Sequence, residues 1–190
     1  MIKENSTFVE RSQTGKDFAD VIFSQLKQWG FQVALNGTEH THPDFIKSLH
    51  CSEDTTSLSL RYAPDGVVAF GPKVKTAYVE VKNSIFIEKN AYENYMRLYR
   101  NGCTVAIVVK DNRTSKIGFS LIENIVLKKA WDKDWPYDGN WIYPRKHPDY
   151  NKIHNERKGS GTPYGTIDIS KLNEWAIFAP YIKGEIKTVS

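Results

Sequence analysis

"TAYVEVK", residues 76–82, alternates without a break, and its reading decides how the rest of the chain is organised. Successive side chains of a β-strand point to opposite faces. Ala77, Val79 and Val81 therefore share one face, and Tyr78, Glu80 and Lys82 share the other. Two residues apart on one face, Glu80 and Lys82 stand about 7 Å from each other and point the same way. Upstream, "GVVAF" at 66–70 reads as a second strand, bounded by Pro64-Asp65-Gly66 and Gly71-Pro72. Antiparallel pairing of the two would bring Asp65 to the spot at which Glu80 and Lys82 point.

Two carboxylates, with a backbone carbonyl and waters, make a hard oxygen site suited to Mg²⁺ or Mn²⁺ rather than zinc. A divalent ion on a phosphate oxygen polarises phosphorus and stabilises a leaving oxyanion. A lysine beside it can position water, offset charge or, with a lowered pKa, take a proton. These are the components that phosphodiester hydrolysis needs. The same residues have a plainer reading. Glu-x-Lys is common on the wet face of a strand, and Pro-Asp-Gly is an ordinary turn.

Outward from this centre the elements follow in a definite order. Phe18, Val21, Ile22, Leu26 and Trp29 keep helical spacing, with Thr14 and Asp17 as a capping box and Gly30 as the stop. Glu10 falls before that helix. "FQVAL" is a short strand. Residues 36–61 are polar and read as a connection, with a short helix near 45–49. A helix is expected over 89–101, with Tyr92, Tyr95, Met96 and Tyr99 on one stripe. "CTVAIVVKD" is a β-branched run of the kind buried on both sides, and "KIGFSLIENIVL" is a further strand. A last helix is expected from Ser170, with Leu172, Trp175 and Ala176 apolar.

This pattern resembles the PD-(D/E)xK nuclease superfamily, which includes Holliday-junction resolvases and phage and restriction endonucleases. Pro64-Asp65 stands as the PD element and Glu80-Val81-Lys82 as the (D/E)xK element, with fourteen residues between Asp65 and Glu80. The resemblance covers about residues 12–110. It implies a mixed α/β fold with a restriction-endonuclease-like core: a helix, a β-meander, a second helix and a further strand, forming a central mixed sheet flanked by helices. It also implies a divalent metal, Mg²⁺ with Mn²⁺ as the alternative, held by Asp65 and Glu80, with Lys82 assisting. Many resolvase-like members place an acid on the first helix, which here makes Asp17 a catalytic candidate beside its capping role. "HPDF" at 42–45 is a second Pro-Asp, with 35 residues between Asp44 and Glu80, and no strand follows it.

Composition sets the outer bounds. With 190 residues, 40% hydrophobic and 25% charged, the chain has the make-up of a globular domain and no apolar run of transmembrane length. The opening MIKENSTFVE lacks the apolar centre of a secretory signal, and Cys51 and Cys103 form no disulfide framework, so an intracellular setting in a bacterial or phage-infected cell is expected. His40, His42, His50 and Cys51 lack the spacing of a standard zinc finger. The net charge of +4 permits nucleic-acid binding without arguing for it.

One domain, 1–190, is expected, with a core over 12–127 and an aromatic and basic extension over 128–190. Lys89 and Asn90 at a helix start, and Arg145, Lys146, Arg157 and Lys158 in the extension, are the candidate nucleic-acid contacts. The expectation is a Mg²⁺-dependent endonuclease acting on DNA as a homodimer, with branched or structured DNA as the favoured substrate. A sequence-specific restriction endonuclease and a non-catalytic nucleic-acid-binding protein on the same fold are the alternatives.

Overall fold

The computed structural model describes residues 8–36, 54–71, 76–150 and 161–187. The expectations for the helix near 45–49, for Asp44, for His40, His42, His50 and Cys51, and for Arg157 and Lys158 lie outside them.

Helix α1 runs over Phe8–Gln28. Glu10, Thr14 and Asp17 are therefore all inside it, and the Thr14–Asp17 pair is not its cap. The capping pattern is short enough to occur in a helix interior, where it caps nothing. Phe18, Ala19, Ile22, Phe23 and Leu26 make the buried stripe, whereas Val21 is 59% exposed. The stripe is thus rotated by about one residue from the expected one. Gly30 ends the helix at φ 88°, a conformation that glycine adopts without a steric cost.

Strands β1 (Gln32–Leu35), β2 (Gly66–Ala69) and β3 (Thr76–Lys82) form an antiparallel meander. Before β2 stands α2, Thr55–Arg61, within a stretch that reads in sequence as irregular connection. The Asp54 side chain caps it by accepting from the backbone N–H groups of Thr56 and Ser57. Beyond β3 come β4 (Phe86–Glu88), α3 (Lys89–Arg100), β5 (Val105–Lys110) and β6 (Ile117–Leu121). β5 pairs parallel with β3, and β6 pairs antiparallel with β5. The order implied by the resemblance, helix, meander, helix and strand, is present.

Residues after 127 complete the sheets. β10 (Asn173–Glu174) pairs with β6, giving a mixed six-stranded sheet in the order β1-β2-β3-β5-β6-β10 among the described residues. β7 (Tyr137–Asp138), β8 (Trp141–Ile142) and β9 (Tyr164–Thr166) form a second sheet with β4, in the order β4-β9-β8-β7. The helix expected from Ser170 is replaced by a 3-10 turn over Ile169–Lys171 that Asp168 caps. β10, a further 3-10 turn at Trp175–Ile177 and the short helix α4, Phe178–Ile182, follow. Ser170 fails as a helix start because the chain must first run beside β6.

The central sheet has a hydrophobic layer on each face. On one, Ile22, Phe23 and Leu26 of α1 and Phe178 and Ile182 of α4 pack on Ala77, Val79, Val81, Ala106 and Val108. On the other, Ala91 and Tyr95 of α3 pack on Val105, Ile107 and Val109. β5 is therefore covered on both sides, and each of its buried valines and its one isoleucine contributes roughly 1.5–3 kcal/mol. On α3 the expected tyrosine stripe holds only in part: Tyr95 is buried, whereas Tyr99 is 39% exposed. No helix among the described residues is long and apolar enough to cross a membrane.

Candidate active site

Strand alternation sends Ala77, Val79 and Val81 into the α1 layer and leaves Glu80 on the α3 side of the sheet. Gly66 lies opposite Val79 in the β2–β3 ladder, so Asp65, one residue earlier, arrives beside Glu80. Two hydrogen bonds lock this arrangement. The backbone N–H of Asp65 donates to Glu80 Oε2 at 3.3 Å, and the backbone N–H of Val81 donates to Asp65 Oδ2 at 2.7 Å. Asp65 is also tied to β1, because the Asn36 backbone N–H donates to its carbonyl at 2.8 Å.

The glycine of Pro-Asp-Gly has a packing reason. A β-carbon on Gly66 would stand 2.8 Å from the Phe23 ring and 2.9 Å from the Ala34 carbonyl oxygen. The turn at Asp65 can press against α1 and β1 only because no side chain intervenes.

Lys82 Nζ lies 2.5 Å from Glu80 Oε1. Burial favours the neutral amine, but the charges of Glu80 and Asp65 and the hydrogen bond to Glu80 outweigh it and hold the pKa above that of an ordinary lysine. A lowered pKa, which would suit a base, is not what these surroundings give. Lys82 is a fixed cation here. Glu80 itself is only 4% exposed.

These groups line a cleft of about 370 Å³. Its other walls include Tyr95, which the sequence pattern places only on the packing stripe of α3, and Glu88 and Tyr62, which it does not single out. Tyr95 of α3 is 2% exposed, and burial, the charges of Glu80 and Asp65 and a hydrogen-bonding interaction with Glu80 raise its pKa well above the usual phenol value. Glu88 sits at the N-cap position of α3, yet its side chain makes no cap hydrogen bond. It lines the cleft instead, and its charge is felt by Lys82, Tyr95 and Tyr62. Tyr62 is buried with its hydroxyl near Asn90 and Glu88 but without a hydrogen bond of normal geometry. The only signal for Glu88 and Tyr95 lay in their place, at the start and on the inner face of the helix after β3.

Helix α1 turns Gly15, Lys16 and Ala19 towards the cleft. Asp17 is exposed and is not part of the lining, since a residue two positions from Gly15 and from Ala19 projects from another side of the helix. Asp20 lies against a separate hollow with Val21 and Ser24. The carboxylate expected from the first helix is thus not brought to the cleft by Asp17.

The donor set fits a hard divalent cation. Asp65 and Glu80 offer carboxylate oxygens, and no group of three Asp, Glu, His or Cys among the described residues could hold a metal unaided. A cation there would complete its shell with backbone oxygen and water, which suits Mg²⁺ and not a structural zinc.

Of the expected nucleic-acid contacts, Lys89 and Lys146 converge on one ring. Lys89 Nζ donates to the Tyr143 hydroxyl at 3.0 Å, and Lys146 Nζ lies 4.1 Å from the Tyr143 ring centroid. Arg145 and Asn90 are exposed. A larger hollow of about 800 Å³, between the β5–β6 turn and residues 169–176, lies apart from these groups. Its Asp111 is engaged by Thr114 and Arg113.

No family model and no curated protein matches the chain. Among solved structures, it is similar to a Holliday junction resolvase from the archaeal hyperthermophile Archaeoglobus fulgidus. That similarity has 15% identity and a TM-score of 0.40, covering 63% of this chain and 80% of the other. It is also similar to a nuclease from a fusselovirus, with 11% identity and a TM-score of 0.44, covering 97% of this chain and 96% of that one.

Proposed function

We propose that the chain is a Mg²⁺-dependent endonuclease that hydrolyses phosphodiester bonds in DNA. One observation carries the reading: Asp65, just before β2, and Glu80 and Lys82 of the paired β3 converge in a cleft with Glu80 nearly buried and Lys82 held on it. A purely structural ion pair would need no second carboxylate interlocked with the first. Bound at Asp65 and Glu80, Mg²⁺ supplies Lewis acidity towards a phosphate oxygen. Tyr95 restrains Glu80, and Lys82 orients the attacking water and offsets charge gathering on phosphorus. The Lys89, Tyr143 and Lys146 group, with Arg145, supports a polyanionic substrate. Cutting both strands of a duplex calls for two such sites, and a homodimer is part of the proposal.

The test uses supercoiled plasmid, linear duplex, single strands, a four-way junction and RNA, each with Mg²⁺, Mn²⁺ or EDTA. Glu80→Ala and Lys82→Ala run beside the parent. Metal-dependent DNA cutting by the parent, lost in both variants, is the expected result, and the preferred substrate then shows whether branched DNA is favoured. Equal cutting by all three proteins would refute the site. Binding of DNA with no cutting by the parent would make the chain a binding module, and cutting of RNA alone would move the substrate class.

A further inference from the structure

We propose that Lys16 and Arg61 form a two-sided phosphate clamp that seats the phosphates flanking the one to be cut. This rests on the endonuclease reading above and adds a binding site to it. Both residues line the cleft, Lys16 from α1 and Arg61 from the last turn of α2. They come from different elements, so they act as two walls and not as one run of charge.

The need for them is electrostatic. Asp65, Glu80 and Glu88 all line the cleft, and part of the Lys82 charge is already offset by its bond to Glu80. A phosphodiester entering against three carboxylates is repelled unless the cleft supplies further positive charge. Among the described residues, Lys16 and Arg61 are the other cations in its lining, and together with Lys82 they balance the three acids. Neither forms an ion pair with a described residue.

The two walls are built for the task in different ways. The Arg61 guanidinium lies over the Tyr62 ring, 5.1 Å from its centroid. Tyr62 is in turn fastened to α3, because Asn94 Nδ2 donates to its carbonyl at 2.8 Å. Arg61 is therefore held on a fixed platform, where its planar fork suits bidentate contact with phosphate oxygens. Lys16 is exposed on its helix, and beside it Gly15 faces open space: apart from its own stretch of helix, no described atom lies within 4 Å of where a β-carbon would stand. That gap gives a sugar-phosphate chain room to pass along α1.

The experiment measures binding of a labelled DNA duplex and a four-way junction in EDTA, in a Glu80→Gln background that removes cutting. Dissociation constants are taken between about 50 and 300 mM salt for the parent background, Lys16→Gln, Arg61→Gln, Arg61→Lys and the double Gln variant. Each lost phosphate contact lowers the slope of log K against log salt by about 0.9, so the double variant should lose about 1.8. Arg61→Lys should restore the slope and bind more weakly than the parent background, because it keeps the charge and loses the fork. Slopes and affinities unchanged in all variants, with DNA still bound, would overturn the clamp and leave the endonuclease reading intact. No binding of either DNA by the parent background would count against that reading itself. Melting curves accompany each variant, so that loss of fold is separated from loss of contact.

Discussion

The ammonium of Lys82 lies 2.5 Å from the carboxylate of Glu80, two residues away on the same strand, and the second oxygen of that carboxylate accepts the backbone N–H of Asp65. Glu80 therefore has a structural bond on one oxygen and a cation on the other. Glu80→Gln keeps the first and weakens the second. Cutting should fall by about 10²-fold or more, as for loss of a charged group in a reacting centre. Stability should fall by less than the ~3–5 kcal/mol of a fully buried broken pair, because Lys82 keeps 24% of its side-chain surface in solvent. Urea titration beside the nuclease assay separates the two effects.

Asp65 allows a sharper separation. Its Oδ2 accepts the Val81 N–H at 2.7 Å, a bond that an Asn side-chain carbonyl can also accept. Asp65→Asn should fold with stability near that of the parent and lose the proposed Mg²⁺-dependent cutting. Asp65→Ala leaves that N–H without its partner and should cost about 1–3 kcal/mol as well. Equal stability of the two variants by urea unfolding would show that this bond does not hold the turn.

Gly66→Ala tests the approach of α1 to the Pro-Asp turn. The new β-carbon meets both the Phe23 ring and the Ala34 carbonyl, so a shift of helix or strand is unavoidable. A loss of about 1–3 kcal/mol is expected, with cutting reduced at temperatures where the variant is still folded, because Asp65 moves with its neighbour. Thermal melting and activity at a permissive temperature are the measurements.

Acid sensitivity should trace in part to Asp111, at the turn between β5 and β6. The Thr114 hydroxyl at 2.6 Å and the Arg113 backbone N–H at 3.0 Å hold its carboxyl below the usual carboxylate range. The folded pKa is depressed, so this group favours folding above the unfolded value of about 3.9, and its contribution fades as pH falls through the folded value. Asp111→Asn should be less stable than the parent at pH 7, and the difference should shrink as the pH approaches 3. Melting temperatures of both proteins between pH 3 and 7 give the comparison.

Much of this arrangement was legible in the order of residues. The unbroken alternation of 76–82 determined which face Glu80 and Lys82 share, and the β-branched run before Lys110 marked a strand covered on both sides. What remained hidden depended on neighbours distant in sequence. Whether Asp17 or Gly15 faces the cleft turns on the rotation of α1, which is set by the packing of Phe23 and Phe18 and not by the Thr14–Asp17 pattern. Nothing in the residue pattern marks Glu88, whose side chain makes no cap bond and lines the cleft instead. α2 was missed because its seven residues carry few apolar side chains and rely on the cap at Asp54. The strands after 127 are two or three residues long, too short for alternation to register.

Those short strands carry a consequence for solubility. β10 lies along the outer side of β6, and β9 lies along β4, so the residues after 127 occupy positions where backbone N–H and C=O groups would otherwise face solvent. A chain shortened to end at Leu127 would offer both β6 and β4 as templates for strand addition by a second molecule. Its first failing would be self-association into particles, seen by light scattering, ahead of any change in the chemistry of the cleft.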